Sequence, residues 1–276
     1  MSSLTHRFLA MLAAFGSAAN VGAAPPPPPA APAIGYVEMA DMILAAQQIL
    51  SADIIRATLL KREQAAGVAS GKVRFFVEAR VLALIGGRGP APAEVRYLVD
   101  LPQAQAKAKL KGTGVLLLAT PTARAGEITL AGPHAQLLRT PASEARLRAI
   151  LTASVAPDAP PSVIGIGHAF HVAGSLPGEG ETQIFVRTSD GRPISLSIIR
   201  RPGEAPRWAV ALSELVDASA APPQPETFLW YRLACGLPPS LPPAALEGIA
   251  DADAEQARTD YKVVTDGLGP CIRNRD

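Results

Sequence analysis

Alternating apolar and polar residues predict a sheet in the first half of the chain. The clearest run is 72–85, where apolar residues at every second position, from Val73 to Ile85, alternate with Arg74, Glu78 and Arg80, the period-two pattern of a half-buried strand. An earlier strand is predicted at 53–61, with Ile55, Ala57 and Leu59 on its apolar face. Shorter apolar runs predict three more strands, at 95–99, 115–119 and 128–130. Five strands with a polar spacer after the third favour an OB-like small β-barrel.

The second half of the chain mixes helices with a meander. A helix begins at Thr140-Pro141, because threonine caps a helix and proline suits the first helical position. Three apolar segments separated by turn residues then predict a three-stranded antiparallel meander. These strands are 183–188, 194–198 and 208–212. Further helices are predicted at 36–46, 226–233 and 254–265.

The first 24 residues predict a signal peptide. Arg7 precedes a short apolar stretch at 8–15, and small residues follow at 21–23 where cleavage is expected. The next segment, 25–35, is a Pro/Ala-rich linker, for which an extended spacer is expected. We therefore expect export to the periplasm or secretion.

The predicted fold class is mainly β with a few helices (α+β), in two domains. The first, 36–140, is the OB-like barrel, and the second, 141–276, combines the meander with C-terminal helices. Cys235 and Cys271 are the two cysteines of the chain, and in an oxidising compartment an even pair without metal-site spacing predicts a disulfide. That bridge would clamp the last two helices together.

Composition excludes some classes of partner. The formal net charge is only +2, which provides no basic face for nucleic acid. After the leader, no segment is apolar for long enough to predict a transmembrane helix. The sequence lacks a nucleophile elbow, an HExxH motif and a phosphate-binding loop, so it predicts no catalytic residue and no cofactor.

Two weak candidate sites remain. His168 and His171 could bind a metal if they lay on one helical face, with Glu179 or Glu181 completing the site. On a strand, however, positions three apart face opposite ways, and ordinary histidines are then expected. The second candidate is a set of arginines that could grip an anion, unless intramolecular ion pairs occupy them. Its members are Arg187, Arg200, Arg201 and Arg207.

These observations favour an exported, non-enzymatic binding or structural module. Its expected partner is an envelope protein or a small anionic ligand. The alternatives are an envelope hydrolase, metal-dependent and acting near His168 and His171, and a subunit of an envelope complex.

Overall fold

Two antiparallel sheets and four α-helices make up the part of the chain that the computed structural model describes, residues 34–212 and 220–273. The predicted leader and nearly all of the predicted linker lie outside these residues. The helices are α1 (Tyr36–Ala45), α2 (Pro141–Val155), α3 (Phe228–Gly236) and α4 (Asp251–Leu268). Within the two described ranges, no helix is both long enough and apolar enough to cross a membrane.

The first sheet contains six strands. They are β1 (Gln48–Leu59), β2 (Lys72–Gly87), β3 (Glu94–Pro102), β4 (Gly114–Pro121), β5 (Ile128–Leu130) and β6 (Gln136–Leu138). Their order is β3-β2-β1-β4-β5, and β6 also pairs with β4. Strand β3 approaches the chain just before β5 at one isolated parallel bridge, between Arg96 and Glu127. The sheet is not closed, so the predicted barrel is not confirmed.

Strand β1 begins earlier than the sequence pattern predicted. Leu50, Ala52 and Ile54 contribute its core-facing side chains, and a bulge follows between Ile54 and Arg56. Leu59, expected on the apolar face, is 44% exposed. The beginning of β1 was missed because residues 48–52 are all buried, which removes the polar–apolar alternation expected of a half-buried strand.

Helices α1 and α2 cover the outside of the first sheet. Thr140 caps α2 by accepting a hydrogen bond from the Ser143 N–H at 3.1 Å, and Pro141 occupies the first turn, as predicted. The buried Leu147 and Ile150 of α2 pack in one cluster with apolar residues of α1, β1, β4 and α3. A separate cluster, centred on Val77, fills the inside of the curved sheet.

The second sheet contains four strands instead of the predicted three. They are β7 (Val163–Ala173), β8 (Gly180–Thr188), β9 (Ile194–Arg200) and β10 (Arg207–Ala211). Their order is β10-β9-β8-β7. The sequence of β7 did not distinguish a strand from a loop, because Gly165 and Gly167 interrupt its apolar pattern. In the structure, two register shifts also disturb its pairing with β8.

Helices α3 and α4 are linked at their C-terminal ends. Cys235, in the last turn of α3, forms a disulfide with Cys271, just beyond α4, and the two Cα atoms are 5.1 Å apart. The indole N–H of Trp230 donates to the Leu268 carbonyl at 2.8 Å nearby. The predicted disulfide and its position at the ends of the helix pair are confirmed.

Candidate functional site

The second sheet has one face packed on α4 and one face turned away from it. Ile184, Leu196 and Val210 belong to the buried cluster that includes Ala257 and Tyr261 of α4. Successive side chains of a strand point to opposite faces, so the residues next to these in the chain lie on the other side. We call that second side the outer face.

The register of the four strands arranges the outer face in rows that run across the sheet. Glu181 and Ile199 lie directly opposite each other at the centre of one row. Arg201 follows Ile199 by two residues and is the first residue beyond β9, whose last residue, Arg200, pairs with Gly180. From β7 to β10, the rows are Val172, Glu181, Ile199 and Arg207; Phe170, Gln183, Ser197 and Ala209; and His168, Phe185, Ser195 and Ala211.

Two adjoining cavities lie on this face, of about 570 and 450 Å³. The first extends toward the β7–β8 turn and the second toward β10. Both are lined by Glu181, Gln183, Ile199 and Arg201. We call the combined depression around these four residues the outer groove.

Glu181 is held in place by neutral donors. The Gln183 amide donates to its Oε1 atom at 2.8 Å, and the Ser197 hydroxyl donates to the same oxygen at 3.1 Å. No lysine, arginine or histidine of residues 34–212 or 220–273 forms an ion pair with this carboxylate. The side chain of Glu181 is therefore oriented through Oε1, and its second oxygen, Oε2, accepts no hydrogen bond from the described residues.

Arg201 also has no ionic partner in the described part of the chain. Glu179, one residue before β8, instead turns its Oε2 atom to the backbone N–H groups of Ser175 and Leu176, at 3.0 and 3.2 Å. Glu204 pairs with Arg207 at 3.5 Å. The guanidinium of Arg201 therefore lines the outer groove with its hydrogen-bonding capacity open.

The structure separates the four arginines that the sequence grouped together. Arg200 lies on the α4 side, where its Nε atom donates to Asp260 at 2.5 Å. Arg187 lies against β7, and its side chain approaches the positions where Gly165 and Gly167 lack a Cβ. Arg201 lines both cavities, whereas Arg207 lines only the one toward β10 and Arg200 only the other. One anion-binding cluster of four arginines is not formed.

His168 and His171 are likewise not brought together. His168 is exposed on the outer face beside Phe170, with ring centroids 6.2 Å apart. His171 lies on the α4 side, with 8% of its side chain exposed. Among the described residues, no group of three or more histidine, cysteine, aspartate or glutamate side chains is placed to hold a metal ion.

A buried polar network lies beneath the outer groove. Asp260 of α4 is fully buried and accepts a hydrogen bond from the Thr182 hydroxyl at 2.5 Å. Because that hydroxyl has only one proton, the Nδ1 atom of His171, 2.9 Å away, must donate to Thr182. The His171 ring lies over Gly180, where a Cβ would come within 2.5 Å of the ring. The network fixes β7, β8 and β9 to α4.

Buried tyrosines provide two further links to the helix pair. The Tyr261 hydroxyl donates to the Pro238 carbonyl at 2.6 Å, and burial raises the pKa of this tyrosine. The Tyr231 hydroxyl donates to Asp41 of α1 at 2.7 Å. Its pKa is raised mainly by burial and further by the Asp41 carboxylate. Both phenols therefore act as structural hydrogen-bond donors.

Comparisons of the chain with protein-family models, with curated proteins and with solved structures find no match. No function is therefore transferred to it from a relative.

The sequence analysis did not identify the buried Asp260, nor Ile199 as a residue that lines both cavities. One signal for Asp260 was available, since it lies on the apolar stripe of α4 between Ala257 and Val264, where a carboxylate is unusual. No signal marked the outer groove, because it depends on which strands pair and in which register.

Proposed function

We propose that the chain is an exported, non-enzymatic binding module whose outer groove takes a small ligand with an anionic group. The observation that carries the proposal is Arg201, a groove-lining arginine without an ionic partner among the described residues. A guanidinium binds carboxylate or phosphate through paired hydrogen bonds. The arginine directly follows β9, and the Asp260 network fastens that strand and β8 to α4.

Export is supported by two independent features. The first 24 residues have the order of a secretory signal peptide. The disulfide between Cys235 and Cys271 is typical of a protein that folds in an oxidising compartment. We place the mature chain in the periplasm or outside the cell.

We further propose an OB-like barrel with an open seam for the first sheet. The strand order β3-β2-β1-β4-β5 supports it, as does the parallel direction of the Arg96–Glu127 bridge between the two end strands. This architecture assigns no ligand, because one fold can host unrelated functions.

Ligand-detected NMR with hexanoate as the anionic probe tests the binding proposal on the processed full chain. Arg201→Ala should weaken hexanoate binding by about tenfold, the loss expected for one charge-assisted contact. The matched control is Arg56→Ala on the first sheet, a 65% exposed arginine, which should leave binding unchanged. Equal binding by wild type and Arg201→Ala would refute the proposal.

A further inference from the structure

We infer that the ligand of the outer groove is a small zwitterion with an aliphatic spacer. Its cationic head would bind Glu181, its methylene chain would lie on Ile199, and its anionic end would bind Arg201. This inference rests on the proposed function, since it uses the same groove, and adds the requirement for a cation.

The requirement for a cation follows from how Glu181 is held. Gln183 and Ser197 are neutral donors, so they orient the carboxylate without compensating its charge. Both donors reach the same oxygen, Oε1, and Oε2 accepts no hydrogen bond from the described residues. An ammonium group of a ligand would make a charge-assisted hydrogen bond there.

The requirement for a spacer follows from the apolar neighbours of Glu181. Val172 and Ile199 lie on either side of it in the same cross-strand row, and they are 58% and 44% exposed. Phe170 lines the same cavity. A short methylene chain would cover part of this exposed apolar surface, which favours binding in proportion to the area removed from water.

The need for a spacer between the two charges follows from where they lie. Arg201 is the first residue after β9, whose last residue, Arg200, pairs with Gly180, the neighbour of Glu181 in the chain. The side chains of Glu181 and Arg201 do not form an ion pair with each other, so both charges remain open to a ligand. We choose 6-aminohexanoate as the probe, because its five methylene groups separate an ammonium from a carboxylate.

The other groove charges have partners of their own. Glu204 and Arg207 form a pair, Arg200 is bound to Asp260, and Glu179 accepts two backbone hydrogen bonds. By elimination, Glu181 and Arg201 are the complementary charges to which a ligand would bind most strongly.

Three probes of equal chain length test the inference: 6-aminohexanoate, hexanoate and hexylamine. We expect the zwitterion to bind about tenfold more tightly than hexanoate, because it adds one charge-assisted contact. Glu181→Gln should abolish that advantage, so that 6-aminohexanoate and hexanoate bind the variant with similar affinity. Glu255→Gln, an exposed glutamate of α4 that pairs with Arg258 and lines neither cavity, is the matched control and should change neither affinity.

The outcomes separate the two proposals. If hexanoate binds through Arg201 but the amino group adds nothing, or if Glu181→Gln keeps the advantage of the zwitterion, this inference is wrong and the proposed function stands. If no probe binds with a dissociation constant below about 10 mM, or if Arg201→Ala leaves hexanoate binding intact, both are wrong. Thermal melting of each variant checks that it is folded.

Discussion

Replacing Asp260 with alanine removes the acceptor that holds α4 against the second sheet. The buried carboxylate accepts hydrogen bonds from Thr182, Arg200 and Gln256. Removing one partner of a buried ion pair costs about 3–5 kcal/mol, because the other charge is left uncompensated. Since 24% of the Arg200 side chain reaches solvent, we expect the lower end of this range, about 3 kcal/mol.

Urea and thermal unfolding of the oxidised, processed chain measure this loss. In a protein of this size, each kcal/mol lowers Tm by about 2–4 °C, so Asp260→Ala should lower it by roughly 6–12 °C. The matched control is Asp266→Ala on the same helix, whose carboxylate is 63% exposed and pairs with Lys262. An exposed pair contributes about 0–1 kcal/mol. Equal losses in the two variants would refute the anchoring role of Asp260.

Four further measurements test other parts of the account. Thr140→Ala, which removes the cap of α2, should lower the free energy of unfolding by about 1 kcal/mol in urea, and no change would contradict the cap. Replacing Cys235 and Cys271 by serine should cost about 4 kcal/mol by the same assay, a loss that reductant should mimic in the wild type. All four tyrosines have a raised pKa, with burial the largest cause. The stability they contribute is present below the unfolded value of about 10 and is lost as pH rises through the raised folded values. Tyrosinate absorbance of the folded chain should therefore increase at higher pH than that of the urea-unfolded chain, and coincident titrations would contradict the burial. The intact mass of exported protein should show that residues 1–24 are removed, and finding Met1 retained would contradict export.

The helices and most strands could be predicted because local chemistry specifies them. Thr140 and Pro141 mark the start of α2 through capping, and the pattern of β2 follows from the burial of Phe75, Val77 and Ala79 on one face. The beginning of β1 could not be found by the same rule, since it is buried on both faces. The short strand β6 depends on pairing with β4, which the sequence does not specify.

The candidate site was harder to predict than the fold. Arg200, the last residue of β9, donates to Asp260, whereas Arg201, the next residue, has no partner on α4 and lines both cavities. Alternation alone could separate them, but it could not say which face α4 covers. Glu181 accepts hydrogen bonds from Ser197 on the neighbouring strand and from Gln183, two residues further along its own strand. The contact with Ser197 depends on the strand register, which the sequence alone does not give.

The most direct test of the central claim is a backbone-amide NMR titration of the processed chain with 6-aminohexanoate. Binding in the outer groove predicts chemical-shift changes centred on Gln183, Ser197 and Ile199, with residues of the first sheet unaffected. Changes centred on the first sheet, or none at these three amides at saturating ligand, would contradict it.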